Sequence, residues 1–236
     1  MKHRVGIIGL GVVGNRMLAN MSAHHRFTVV SAWDLNPDVV AETHAKQTYL
    51  QIADSAEAVI AHPDVDLVYI AVPPLAHRPY ALASIAAGRA VFCEKPLGIH
   101  VGESRDLVRQ VQTSGRPAAV NFVYGATAGS DLLEAKLQGG ALGEIAGVDI
   151  RLHFSTWPRF WQRSATWLRG REQGGFVREV LSHFIYLLER LFGPAEIRHA
   201  ATGFPAADVA ESHVIAELDC SGMPVSIAGS VGGAGP

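Results

Sequence analysis

Residues 4–14 read Arg4-Val5-Gly6-Ile7-Ile8-Gly9-Leu10-Gly11-Val12-Val13-Gly14, an apolar run that passes into a glycine-rich turn. Residues 4–8 form a strand-like apolar run, and a helical pattern begins at about Val13, so the G-x-G-x-x-G sequence lies between a strand and a helix. Gly9 permits the tight turn, Gly11 lets the backbone approach a pyrophosphate, and Gly14 lets helix and strand pack closely. The helix N-terminus adds N–H groups and a partial positive charge. Such a run alone also occurs in ordinary glycine-rich turns. Here a second strand-like run, residues 28–33, ends at Asp34, twenty residues past Gly14, where a carboxylate accepts hydrogen bonds from both hydroxyls of an adenosine ribose. That carboxylate repels a 2′-phosphate, and the following Leu35-Asn36-Pro37-Asp38 supplies no cation. The expected cofactor is therefore NAD, with NADP left open.

The alternation continues outward from this stretch. A helix follows Pro37, then come a strand at 67–72, a helix at 76–87, a strand at 90–93, a helix at 103–114 and a strand at 118–122. Gly88, and later Gly115 with Pro117, punctuate the ends of helices. This rhythm predicts an α/β Rossmann domain, a doubly wound parallel sheet, over residues 1–121. Beyond Asn121 it changes to a helix at 130–138, a strand at 145–154, a Trp- and Arg-rich stretch, and a long helix from about 175 to 191. Strand-like runs at 197–202, 209–218 and 224–230 follow. Strands that no longer alternate with helices predict an α+β domain with an open, largely antiparallel sheet over residues 122–236. The terminal Gly-Gly-Ala-Gly-Pro arrives where the last strand is expected to need a partner, so this domain is expected to be truncated, with an unprotected sheet edge.

Composition narrows the partners. The chain has 236 residues, is 48% hydrophobic and carries a formal net charge of -2, which supports a sizeable core and leaves no electrostatic footprint for nucleic acid or an anionic membrane. A small-molecule substrate is expected. The first strand begins too close to Met1 for a secretory leader, and no apolar run reaches transmembrane length. Cys93 and Cys220 are far apart, and His3, His24, His25, His44 and His62 lack metal-ligand spacing, so neither a disulfide framework nor a metal site is expected. These features fit a cytoplasmic protein.

Glu94-Lys95-Pro96 follows the strand-like run 90–93. Together with the glycine fingerprint and Ala71-Val72-Pro73-Pro74-Leu75-Ala76-His77, it resembles the glucose-fructose oxidoreductase/inositol dehydrogenase (Gfo/Idh/MocA) family. Asn121-Phe122 is similar to the family's strand at the domain junction, and Gly174-Gly175 through His183 resembles its Gly-Gly-x-x-x-Asp-x-x-x-His helix. The resemblance implies a Rossmann domain followed by a substrate-binding and oligomerisation domain, with sugars, polyols or related compounds as substrates. It implies that Gly9, Gly11, Val12, Val13 and Gly14 hold the pyrophosphate, that Asp34 holds the ribose, and that Val72, Pro73 and His77 line the path toward the nicotinamide. Glu94, Lys95 and Asn121 are implied at the nicotinamide end. A homo-oligomer paired through the second-domain sheet is implied for the full-length protein.

Hydride transfer at an alcohol or carbonyl carbon needs a group to take or supply the hydroxyl proton. Lys95, at the carboxyl end of a parallel strand, and His183, four residues after Glu179 on the expected helix, are the candidates, with Glu179 orienting the imidazole. Without the family, a loop lysine and a helical Glu/His pair read as a solvated charge and a polar patch. Two departures stand out: Glu179 replaces the family's Asp, and Leu181 occupies a position usually held by a small residue. The run Trp157-Pro158-Arg159-Phe160-Trp161, then Trp167-Leu168-Arg169, offers groups that stack on a sugar or clamp an anion. Trp167 and Arg169 rank first because they lie nearest the helix start; ordinary packing is the other reading. A dinucleotide-sensing regulator without turnover, and a redox-neutral enzyme that retains its cofactor, are the competing functions.

Overall fold

The computed structural model describes residues 2–233, which divide between two units that meet in sequence at Asn121 and Phe122.

The first unit opens with β1 (His3–Ile8), α1 (Val12–Ala23), β2 (Phe27–Trp33), α2 (Pro37–Lys46) and α3 (Ala56–Ala61). It continues with β3 (Leu67–Ile70), α4 (His77–Ala86), β4 (Ala90–Cys93), α5 (Val101–Ser114) and β5 (Ala118–Val120). Its five strands lie in the order β2-β1-β3-β4-β5, and every pair is parallel. A parallel sheet covered on both faces buries successive side chains on opposite sides. Accordingly Ile8, Val68 and Ile70 enter one core with Val91 and Leu107, while Val5, Ile7 and Tyr69 enter the other with Leu18 and Leu50. The chain leaves β1 toward β2 on one side and later returns to β3 on the other. A crevice therefore opens at the carboxyl ends of β1 and β3, the place where open α/β sheets take ligands.

The short helix α3 has no counterpart in the sequence reading, because six residues are too few to establish a period. Its start is fixed locally: the Ser55 hydroxyl accepts a hydrogen bond from the Ala58 N–H at 3.1 Å, an N-cap. Val59 and Ile60 are then buried in the core.

The second unit contains α6 (Ala128–Gln138), β6 (Val148–Phe154), α7 (Ser182–Phe192), β7 (Ala195–Gly203), β8 (His213–Cys220) and β9 (Met223–Val231). Its sheet runs β6-β9-β8-β7. The pairs β7/β8 and β8/β9 are antiparallel, whereas β6/β9 is parallel, so the sheet is mixed and mostly antiparallel. Val214, Ala216, Leu218 and Cys220 of β8 point into a core shared with Phe176, Leu181 and Leu188.

Two expectations need correction. The last strand is not an edge: β9 is bonded to β8 on one side and β6 on the other, and the described edges are β6 and β7. The strand at 148–154 folds back beside β9 and satisfies the groups that the linear order left open. The long helix is also not uniformly α-helical, since Val177–Leu181 is a π-helical turn that feeds α7. The Ser182 hydroxyl donates to the Arg178 carbonyl at 2.6 Å, the acceptor an α-helical Ser182 N–H would use. That N–H bonds instead to the carbonyls of Val177 and Val180. The hydroxyl thus takes the carbonyl that the shifted N–H leaves.

Candidate functional site

The glycine loop is built by contacts that a Cβ would destroy. Gly9 has φ +98°, and a Cβ there would stand 2.4 Å from the Ala71 carbonyl oxygen, while one on Gly14 would stand 1.9 Å from the Gly9 carbonyl oxygen. These two glycines therefore serve the closeness of β1, α1 and the end of β3. At Gly11 a Cβ would meet nothing within 4 Å, so its space belongs to the open side of the loop. Gly11 is the N-cap of α1, no side chain caps the helix, and its first turn, carrying Val12 and Val13, contains no acidic residue. That helix end suits an anion.

Asp34 fastens the loop before it can serve any ligand. Its Oδ2 accepts the Leu10 N–H at 2.6 Å and its Oδ1 accepts the Asn36 N–H at 2.8 Å, and a carboxylate with about four lone-pair sites retains capacity for ribose hydroxyls. Asn15 was missed by sequence reasoning. Its amide donates to the Leu10 carbonyl and, at 3.0 Å, to the hydroxyl of Thr43, which is buried. An Asn in the first turn of an amphipathic helix gives no signal by type alone.

The ends of β3, β4 and β5 bring the next candidates to the same edge of the sheet. Glu94 and Lys95 follow β4 and are both buried, 9% and 8% exposed. The Glu94 Oε1 accepts the Asn121 amide at 2.6 Å and the hydroxyl of Tyr69, a β3 residue with no exposure. Burial, reinforced by the Glu94 charge, pushes the Tyr69 phenol well above its ordinary value, so it remains an O–H donor. Val72 and Pro73 lie just beyond β3 and are partly accessible. His77 differs from its expected place lining the path. It is 0% exposed, and its ring nitrogens lie 2.8 Å from the carbonyls of Pro96 and Val72. It braces the loop after β3 against the loop after β4. Burial pushes its imidazole below the ordinary histidine value, against the pull of those carbonyls.

In the second unit, Gly174 and Gly175 allow the helix start to nest against backbone. A Cβ at Gly174 would lie 2.5 Å from the carbonyls of Trp167 and Leu168, and one at Gly175 would lie 2.2 Å from Glu211. Glu211 is buried and accepts the Val177 N–H at 2.7 Å, a capping role that nothing in its local sequence announced. Glu179 lies in the π-helical turn. It accepts the Gln162 amide at 2.8 Å and pairs with Arg159 at 3.7 Å, so it ties the Trp-rich segment to the helix. Arg159 in turn lies over the Trp161 ring at 4.6 Å. His183, in the first turn of α7, packs against Phe122 and Tyr124 at ring separations of 5.9 and 5.2 Å. Trp167 is half-buried and Arg169 exposed; the Arg169 carbonyl accepts the Ala210 N–H.

A family model for the NAD-binding Rossmann fold of an oxidoreductase family matches residues 3–122, and the companion model for that family's C-terminal alpha/beta domain matches residues 134–219. The chain belongs to the Gfo/Idh/MocA oxidoreductase family. Among its relatives is the trans-1,2-dihydrobenzene-1,2-diol dehydrogenase of Mus musculus, 35% identical over 120 residues, which are 49% of this chain and 35% of the relative. An inositol 2-dehydrogenase of Pseudomonas syringae pv. syringae (strain B728a) is 32% identical over 147 residues, 61% of this chain and 44% of the relative. The chain thus spans less than half the length of these curated relatives. The crystal structure of the WlbA dehydrogenase from Bordetella pertussis in complex with NADH and UDP-GlcNAcA superposes with a TM-score of 0.88 at 26% identity. That superposition covers 99% of this chain and 72% of the other. The Rossmann unit and the mixed second sheet described above are the two parts of the Gfo/Idh/MocA fold, and NAD binding is the property after which the first family model is described.

Proposed function

We propose that this chain is the hydride-transferring part of an NAD-dependent oxidoreductase that interconverts a hydroxyl-bearing carbon and a carbonyl in a sugar, polyol or related small molecule. The observation that carries this reading is the sheet edge in the first unit. An open-sided glycine loop at the β1/β3 crevice, with Asp34 fastened beside it, lies along the same edge as buried Glu94 and Lys95. The residues fit a dinucleotide, since the Gly11 side of the loop is open and the first turn of α1 contains no acidic residue. Gly9, Gly11, Val12, Val13 and Gly14 would hold the pyrophosphate and Asp34 the ribose.

The dinucleotide, when bound, supplies or accepts the hydride. The protein's part is proton handling and charge. Lys95 carries its ammonium in a buried setting, where it can polarise a carbonyl or steady a developing alkoxide at the oxygen. His183 is assigned the proton that the hydroxyl loses or gains, and an imidazole suits that exchange near neutral pH. Trp167 and Arg169 are assigned to the substrate, and the second sheet is assigned to pairing in a homo-oligomer.

The test begins with titration of NADH and NADPH by fluorescence. Asp34 predicts tighter NADH binding; equal or tighter NADPH binding would overturn the cofactor choice. Turnover is then followed by NADH absorbance against inositol, trans-1,2-dihydrobenzene-1,2-diol and UDP-GlcNAcA, the compounds named for the relatives and neighbour. Lys95→Ala and His183→Ala should each lower turnover by about a hundredfold or more while NADH affinity stays largely intact. Near-normal turnover in His183→Ala would refute the shuttle, and loss of NADH binding in Lys95→Ala would make that lysine a cofactor clamp.

A further inference from the structure

Tyr69 is the penultimate residue of β3, a strand whose last three residues are buried, yet its phenol is not idle. Its ring belongs to the core beneath the sheet, 5.4 Å from the Phe92 ring, while its hydroxyl reaches Glu94 at the carboxyl edge. The oxygen it meets is the same Oε1 that accepts the Asn121 amide. Two donors from two strand ends thus converge on one carboxylate oxygen. A carboxylate held in this way loses its rotational freedom, and the second oxygen is set in direction by the first. A buried hydroxyl also needs an acceptor, because leaving it without one costs more than the bond itself contributes. Tyrosine and glutamate therefore specify each other, and the backbone keeps them in register, since the Glu94 N–H bonds to the Ile70 carbonyl at 2.9 Å and the Asn121 N–H to the Cys93 carbonyl at 2.8 Å.

We propose that Tyr69 is a positioning residue for the nicotinamide end of the dinucleotide site, acting through the Glu94 carboxylate and not through contact with any ligand. The proposal rests on the dinucleotide-binding reading above and adds to it a residue that lies wholly inside the core. It also assigns the Tyr69 hydroxyl a different task from the Tyr69 ring: the ring packs the sheet, and the hydroxyl aims Glu94. Asn121 supplies the other half of the same brace.

The experiment compares two ligands on the intact chain. NADH spans the whole site, whereas ADP carries only the adenosine and the two phosphates, so a residue acting at the nicotinamide end affects the first and spares the second. Tyr69→Phe removes one oxygen and keeps the ring. It should weaken NADH binding by about tenfold, the scale of a lost hydrogen bond to a charged group, while ADP affinity stays unchanged. In a Glu94→Ala background the same substitution should produce no further loss. Asn121→Ala removes the other donor without touching the core, and it should show the same NADH-selective loss if Tyr69→Phe fails to fold. Equal losses for NADH and ADP would overturn the proposal, reducing the hydroxyl to general packing. So would unchanged NADH affinity, or a loss that persists undiminished in the Glu94→Ala background. Wild-type protein that binds neither ligand would refute the dinucleotide reading itself, and with it this proposal; ADP binding without tighter NADH binding would refute the placement of Glu94 at the nicotinamide end.

Discussion

At the scale of single residues, the glycine fingerprint separates into two physical jobs that its spelling does not distinguish. Gly14 faces a backbone carbonyl at a distance no side chain tolerates, whereas Gly11 faces open space. Gly14→Ala should therefore push α1 off β1 and lower stability by about 2 kcal/mol or more, in the range of severe packing errors, with NADH binding falling as a consequence. Gly11→Ala should melt like the wild type and lose NADH affinity alone, because its methyl group fills the space that the pyrophosphate is assigned. Thermal melts and NADH titrations on the pair check this. A normal melt for Gly14→Ala, or unaltered NADH affinity in Gly11→Ala, would contradict the division of labour. The same scale explains why Tyr69 escaped notice: between Val68 and Ile70 its ring satisfies the pattern of a buried strand, and the hydroxyl's partner lies 25 positions away in sequence.

At the scale of elements, the segment before α7 shows how distant groups set a helix start. The sequence marks a double glycine and a helical stretch; the structure adds the buried Glu211 carboxylate on the Val177 N–H and the Ser182 hydroxyl on the Arg178 carbonyl. An anion at a helix N-terminus is favoured by the dipole, and here it also occupies the space that Gly175 leaves. Glu211→Ala should lower stability by about 1–3 kcal/mol, the cost of a buried donor left without its acceptor. NADH affinity should not change, since the glycine loop belongs to the other unit. Denaturant melts alongside NADH titration test this, and a variant as stable as the wild type would show that the carboxylate does not hold the turn. The π-helical turn also changes what the spacing of Glu179 and His183 means. Four residues make about one turn only in an α-helix, and Glu179 bonds to Gln162 and Arg159 in the segment that precedes the helix.

At the scale of the whole molecule, each unit packs its own apolar interior and buries one cysteine there, Cys93 in one of the two layers that flank the parallel sheet and Cys220 in the core of the second unit. Both thiols are buried, and burial raises both above the ordinary cysteine value, with Glu94 adding to the effect at Cys93. A thiolate is the reactive form, so neither should react with Ellman's reagent in the native protein at pH 8, and both should react once denatured. Rapid native reaction of either thiol would show that its core opens readily. The division of the chain falls between Asn121 and Phe122. It follows the change of rhythm at Asn121, since strands alternate with helices before it, whereas the last three strands follow one another with no helix between them.

The parallel unit is legible in the sequence, because strand and helix periods, glycine turns and Asp34 are local signals that burial on both faces of a sheet enforces. So is the set of residues that gathers at the carboxyl edge, since in a parallel sheet every strand end faces the same way. Tertiary structure alone decided the rest. The pairing of β6 with the far side of β9 joins segments more than seventy residues apart, and the enclosure of His77 depends on carbonyls from two loops. The brace of Tyr69 and Asn121 on Glu94 depends on three strand ends meeting. In each case a hydrogen bond is satisfied by a partner from another element or loop, and no periodicity records where that partner will be.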